Sequence, residues 1–156
     1  MFLYLMRHAS AFSQMQDVKR SLNTTGIKEA NKIAHFVKEK KVRFSHIFHS
    51  SKTRAEQTAN IIAKAVGFED CEILSALEPD LDLEFLSTEI ELLEDGTLLV
   101  GHLPNLELLC HELLKGAPGS ETLTFPPAVM VCLRKEEIKG KTTWYLQWSV
   151  IPEAIK

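Results

Sequence analysis

Arg7 and His8 stand side by side directly behind a short apolar run, and two further groups of similar character follow along the chain. His49-Ser50-Ser51 precedes Arg54, and Gly101-His102 follows another apolar run. Taken singly, each has an ordinary structural explanation. Arg7 could be a surface or capping cation, His8 a hydrogen-bonded strand-end histidine, Arg54 the partner of a carboxylate, and His102 a capping group ahead of Pro104. Taken together they would set like charges side by side, which is costly unless an anion is bound among them. The anion is best read as phosphate. Guanidinium forks hold phosphate oxygens two at a time, and Arg54 sits where a helix should begin, with free N–H groups favouring negative charge.

The chain carries no GxxxxGK[ST] loop and no HExxH pair, so neither a nucleotide P-loop nor a catalytic metal is expected. His46 and His49 are three apart on an expected strand and should face opposite sides. With no activated serine or cysteine motif, the candidate nucleophile is a neutral imidazole, which can accept a phosphoryl group and pass it to water. Neighbouring arginines would keep that imidazole neutral and stabilise charge on the group in transfer.

These residues must be brought together by the elements that carry them. Phe2 to Met6 is a continuous apolar run, as expected of a strand buried on both faces. A polar loop over about 9–24 leads to a helix over about 26–39, marked by Ile27, Ala30, Ala34 and Val37. Phe44 to His49 reads as a strand, Ala55, Ala59, Ile62 and Val66 as a helix stripe, and Gly67 as its stop. Cys71 to Leu74 reads as a short strand. Leu83, Leu86, Ile90 and Leu93 form another helix stripe, with Asp82 as its N-cap and Asp95-Gly96 as a turn. Thr97 to Val100 is a further strand, and Pro104 suits the first turn of a helix striped by Leu106, Leu109 and Leu113 and stopped by Gly116. After a loop with Pro118, Gly119, Pro126 and Pro127, Ala128 to Leu133 and Thr143 to Val150 read as antiparallel neighbours around Lys139-Gly140-Lys141. Such alternation predicts an α/β fold: a three-layer αβα sandwich with a mostly parallel central sheet and helices on both faces. Ligands of such sheets bind beyond the carboxyl ends of the strands, which is where Arg7, His8, Arg54 and His102 would converge.

Composition narrows the classes. At 156 residues against roughly 150 per domain, residues 1–156 are expected to form one domain. Lys and Arg total 18 against 21 for Asp and Glu, a net charge of −3, so there is no basic excess to argue for nucleic acid. Three widely spaced cysteines, Cys71, Cys110 and Cys132, fit neither a disulfide framework nor a zinc site and point to a reducing compartment, read as cytoplasmic. No apolar run approaches the roughly 20 residues that span a bilayer, and the N-terminus lacks the layout of an export signal. No membrane partner is expected, and a monomer is.

Three segments together resemble a known family. Leu3-Tyr4-Leu5-Met6-Arg7-His8-Ala9 resembles the RHG motif of the histidine phosphatase superfamily, the phosphoglycerate mutase-like proteins. Ser50 to Ala59 resembles its S-[SP]-x-x-R-A-x-Q-T-A segment, and Val100-Gly101-His102-Leu103-Pro104 its V-G-H-x-P segment. Within the superfamily the chain is most similar to the SixA-type phosphohistidine phosphatases. Arg20 to Gly26 resembles their R-P-L-T-x-x-G segment, and Phe125 to Ala128 and Trp148 to Pro152 their C-terminal pattern.

The resemblance implies a compact phosphoglycerate mutase-like fold without a lid insertion. It implies His8 as the phosphorylated nucleophile, with Arg7, Arg54 and His102 completing the phosphate pocket and Arg20 approaching it. It implies no cofactor, and as partner a protein carrying phosphohistidine, either a phosphotransfer domain or a phosphocarrier. Ala9 and Ser21 replace the family's common glycine and proline, with little expected consequence. Larger members protonate an alcohol leaving group with a glutamate from a lid. The segment from Leu74 to Leu98 leaves little room for one, so Glu78 and Asp80 are the candidate general acids, with a solvated loop as their alternative. An imidazole leaves a phosphoramidate with less help than an alkoxide leaves an ester, so a weak acid suits phosphohistidine. A small-molecule phosphomonoesterase and a non-catalytic phosphohistidine-binding module are the alternatives.

Overall fold

The computed structural model describes residues 1–115, 117 and 120–156. Six strands and four helices run in the order β1 (Phe2–Arg7), α1 (Thr24–Glu39), β2 (His46–His49), α2 (Thr53–Val66), β3 (Cys71–Ile73), α3 (Leu83–Ile90), β4 (Thr97–Gly101), α4 (Asn105–Leu113), β5 (Met130–Ile138) and β6 (Lys141–Val150). They form one sheet in the order β3-β2-β4-β1-β5-β6. The first four are mutually parallel, and β5 and β6 are antiparallel additions.

Why β1 is a continuous apolar run is plain from its two faces. Tyr4 and Met6 point into a core with α1 and α2, beside Ala30, Ile33, Ala59 and Ile62. Leu3 and Leu5 point into a second core with α3 and α4, beside Leu86, Ile90, Leu106 and Leu109. Alternate side chains of one strand thus serve opposite helical layers, which is the expected three-layer αβα arrangement. Residues 74–96, between β3 and β4, hold one eight-residue helix, α3.

Several boundaries differ from the sequence reading. Helix α1 starts earlier, at Thr24, because the Asn23 side chain accepts a hydrogen bond from the Gly26 N–H and caps it. Strand β2 begins at His46; Phe44 instead sets its ring edge-on to Tyr4 at 5.1 Å. Asp82 occupies the N-cap position of α3, but its side chain makes no capping bond, and Leu93 lies beyond the helix end. Ala128 precedes β5 with φ 59, a left-handed conformation that breaks the extended run. Gly67 closes α2 in the left-handed conformation, as expected of a C-terminal glycine. Lys139 and Gly140, φ 53 and 73, turn β5 into β6, both positive as a type I′ hairpin turn requires. Gly116, the expected stop of α4, and Pro118 and Gly119 lie outside the described residues.

Candidate active site

Register brings the strand ends together. Arg7 pairs with Gly101 across β1 and β4, and His49 pairs with Val100 across β2 and β4. The ladder continues one residue further, through His8 N–H to the Gly101 carbonyl (3.0 Å) and Ser50 N–H to the Val100 carbonyl (3.3 Å). His8, Ser50 and His102 are therefore the first residues past three adjacent parallel strands, at the carboxyl edge where such sheets bind ligands. His46 and His49 take opposite faces of β2, as their spacing predicts, and His49 is spent inside the fold, donating from Nδ1 to the Ser50 carbonyl at 2.8 Å.

His8 is held in one tautomer. Its Nδ1 lies 2.8 Å from the Ala9 carbonyl, which can only accept, so Nδ1 carries the hydrogen. Nε2 is then bare, and it accepts from Arg54 Nε at 3.3 Å. Burial pushes the His8 pKa down to about 4, opposed by the Ala9 carbonyl and reinforced by Arg54, Arg7 and Arg20. A neutral imidazole with an exposed lone pair on Nε2 is the form a nucleophile needs.

The loop that carries His8 is tied on both sides. The Ala9 N–H donates to Thr58 Oγ1 (3.1 Å), and that hydroxyl donates to the Arg54 carbonyl (2.7 Å), coupling the loop after β1 to the first turn of α2. Ser10 donates its N–H and hydroxyl to the two carboxylate oxygens of Glu29 on α1 (2.8 and 2.9 Å). Gly26, in the first turn of α1, lies against the Ser10 backbone so closely that any Cβ there would collide with the Ser10 carbonyl.

Arg7 donates from Nη1 to the Phe125 carbonyl at 2.8 Å, while its Nε is buried with no partner among the described residues. His102 is buried, its Nε2 2.6 Å from Ser50 Oγ and its ring centroid 5.0 Å from that of His8. Burial, then His8, Arg54, Lys52 and Arg20, push its pKa down to about 3. Burial also lowers the pKa of Arg7 and Arg54, and the Arg20 charge adds to the effect on Arg54.

Arg54 also opens onto a cleft of about 490 Å³ lined by Val18, Lys19, Arg20, Lys52 and Asp80 among others. Arg20 sits there in a left-handed conformation (φ 50), its Nε donating to the Phe12 carbonyl at 3.3 Å. Asp17 accepts from the backbone N–H groups of Lys19 and Ser21 and so shapes the turn that presents it. Asp80 lines this cleft, but Glu78 is engaged elsewhere. Its carboxylate accepts from the Ser51 N–H at 2.5 Å and lies 3.5 Å from Lys52 Nζ. Burial pushes the Glu78 pKa up, but Ser51 and Lys52 more than offset this and the net shift is down.

The structure thus gathers Arg7, His8, Arg54 and His102 and sets Arg20 and Asp80 beside them. Sequence reading assigned no role to Ser50, Thr58 or the Phe125 carbonyl. Ser50 and Thr58 lie within the segment 50–59 quoted for its family pattern, so the signal was present without the contact that explains it. Among the described residues no cluster of three or more His, Cys, Asp or Glu is placed to hold a metal ion. No helix among them is long and apolar enough to cross a membrane.

Comparison with known proteins bears on the fold and the activity. Residues 3–79 match the model of the histidine phosphatase superfamily (branch 1). The phosphohistidine phosphatase SixA of Escherichia coli (strain K12) is 27% identical over 162 residues, covering 100% of this chain and 97% of that protein. A solved structure of the protein histidine phosphatase SixA complexed with tungstate is 26% identical and superimposes with a TM-score of 0.84 over 100% of both chains. A mycobacterial glucosyl-3-phosphoglycerate phosphatase solved with VO3, 16% identical, shares the fold, with a TM-score of 0.71 over 94% of this chain and 97% of that one. With its motifs, its layered sheet and its full-length likeness to SixA in accord, the chain shares the fold and resembles the motifs of the histidine phosphatase superfamily and is a phosphatase.

Proposed function

We propose that this phosphatase hydrolyses phosphohistidine on a protein through a covalent phospho-His8 intermediate, residues 1–156 acting as one domain. The observation that carries the reading is the bare Nε2 of His8, turned to Arg54 and fixed by the Ala9 carbonyl. In the first step Nε2 attacks phosphorus in line. The new P–N bond to His8 forms as the P–N bond to the substrate imidazole breaks, and the departing imidazole takes a proton from solvent. In the second, water attacks phosphorus, inorganic phosphate leaves with His8 Nε2 as leaving group, and the water's proton passes to solvent. Arg7, Arg54 and His102 hold the phosphoryl oxygens throughout, and Arg20 adds positive potential at their edge.

The substrate class rests on two features. Glu78 is held ionised by Ser51 and Lys52, so it is not poised to protonate an alkoxide, whereas an imidazole leaving group has less need of an acid. The cleft is lined by Val18 (84% exposed), Lys19 and Arg20, on a loop that also carries the exposed Met15 (99%), a surface suited to a protein with acidic side chains around its phosphohistidine. Such a partner would be a phosphotransfer domain or a phosphocarrier. The three free thiols, Cys71, Cys110 and Cys132, accord with a reducing, cytoplasmic compartment.

Asp80, in the same cleft as Arg54, favours a second reading: a small-ester phosphatase in which Asp80 protonates the leaving group. The test is phosphate release, with EDTA present, from a phosphohistidine-carrying phosphotransfer domain and from p-nitrophenyl phosphate, for wild type and His8→Ala. Fast loss of phosphohistidine that depends on His8, with poor ester hydrolysis, supports the proposal. Equal or faster ester hydrolysis moves the reading to the esterase. Binding of the phosphoprotein without turnover of either substrate would leave a binding module.

A further inference from the structure

His102 presents an unusual inventory. It is 3% exposed, its Nε2 is 2.6 Å from Ser50 Oγ, and its Nδ1 is buried with no partner among the described residues. Ser50 is fully buried and sits one residue past β2, where its N–H completes the ladder to Val100. Its hydroxyl oxygen also receives the Lys52 N–H at 3.3 Å. A hydroxyl has one hydrogen to give. With the Lys52 N–H donating to the oxygen, His102 Nε2 is the one acceptor among the described residues within reach of that hydrogen.

We propose that Ser50 is a positioning residue: by donating to Nε2 it fixes His102 as the Nδ1–H tautomer, so that the ring presents a hydrogen-bond donor, not a lone pair, to a phosphoryl oxygen. This rests on the phosphatase reading above. The two ring nitrogens are distinct, and the hydrogen bond at one sets the state of the other. With Nε2 held by Ser50, Nδ1 is the nitrogen left to serve an anion. A buried, unpartnered Nδ1 is then explained as a donor that awaits its acceptor. In the opposite tautomer Nε2 would donate to Ser50, and Nδ1 would turn a lone pair toward phosphate oxygens and repel them. The lowered pKa of His102 is consistent with a donor that is neutral, so its tautomer and not its charge decides the interaction.

Two measurements test the assignment. The first needs no substrate: a two-bond proton–nitrogen correlation spectrum of 15N-labelled wild type at pH 7, with His102→Gln to identify the signals. The expected pattern has Nδ1 protonated and Nε2 bare; protonation at Nε2 overturns the proposal. The second compares Ser50→Ala and Ser50→Thr in p-nitrophenyl phosphate hydrolysis and vanadate binding, with thermal melts as a control for folding. Ser50→Ala should lower kcat and weaken vanadate binding by about 10- to 100-fold, as loss of an oriented donor does elsewhere. Ser50→Thr, which restores the hydroxyl, should recover most of both. A folded Ser50→Ala with wild-type kcat and vanadate affinity overturns the proposal. Nδ1 protonation in a wild type that turns over no phosphate compound overturns the reaction above and leaves the tautomer assignment standing.

Discussion

Arg54 Nε donates to Nε2 of His8 across 3.3 Å, although the two residues lie 46 positions apart and on different elements. A cation thus rests against the atom proposed to attack phosphorus. It disfavours protonation of that atom and stands where the transferring oxygens must pass. In the proposed reaction the guanidinium and the phosphoryl group share this site.

Replacing Arg54 by Lys should separate these roles. The charge is kept, but the planar fork that engages two oxygens is lost. Expected is a fall in kcat of about 10²-fold on any phosphate substrate, with the fold intact by circular dichroism. A loss confined to KM would show that Arg54 only gathers substrate.

The pH dependence has a defined sign. His8 has an ordinary pKa of about 6.5 when unfolded and about 4 when folded. Between these values the unfolded chain binds a proton that the folded chain refuses, so stability falls as pH drops through that window. Burial and the arginines make His102 act in the same sense. The urea midpoint of wild type should therefore drop from pH 7 to pH 4.5 by more than that of His8→Asn. Equal drops in the two proteins would contradict the assignment. On the kinetic side, kcat/KM should stay level from pH 7 to about 5 and decline near pH 4, as Nε2 takes up its proton.

Glu78→Gln distinguishes anchor from acid. The carboxylate that accepts from Ser51 and pairs with Lys52 holds the turn between β2 and α2, so its loss should cost some stability. The pair is partly solvated, and the loss should be about 1 kcal/mol. Turnover of phosphohistidine should survive within a few-fold. A collapse of kcat with unchanged stability would make Glu78 a proton donor. Asp80→Asn, made in parallel, examines the other carboxylate at the cleft.

The cleft rim is separable from the chemistry. Met15→Ser with Val18→Ser, or Lys19→Glu alone, should raise KM several-fold for a phosphohistidine protein and leave p-nitrophenyl phosphate hydrolysis unchanged. Added salt should weaken the protein reaction more than the ester reaction, because charges at the rim are screened. Equal effects on both substrates would remove the rim from substrate recognition.

Some of this was determined along the chain itself. Leu3 to Met6 and Leu98 to Val100 must lie inside a sheet covered on both sides, since each offers apolar side chains in both directions. Parallel strands so placed send the residues that follow them to one edge, and that brought Arg7, His8, Arg54 and His102 into view. The start of α1 was not legible, because Asn23 and Asp82 are equally good capping residues by type and only one of them meets an N–H.

What the tertiary structure decided is the state of each group. Ser50 and His102 are 52 positions apart, Arg7 and Phe125 118, Ala9 and Thr58 49. Contacts at that range depend on strand register and helix placement, which apolar periodicity leaves free to within a residue or two. A one-residue slip of β2 against β4 would turn every side chain of β2 to the other face. The residue types proposed to bind phosphate could be read from the sequence. Which nitrogen of His8 meets a carbonyl, which carboxylate is already spent, and which hydroxyl lies against His102 were settled only when distant segments met at angstrom distances.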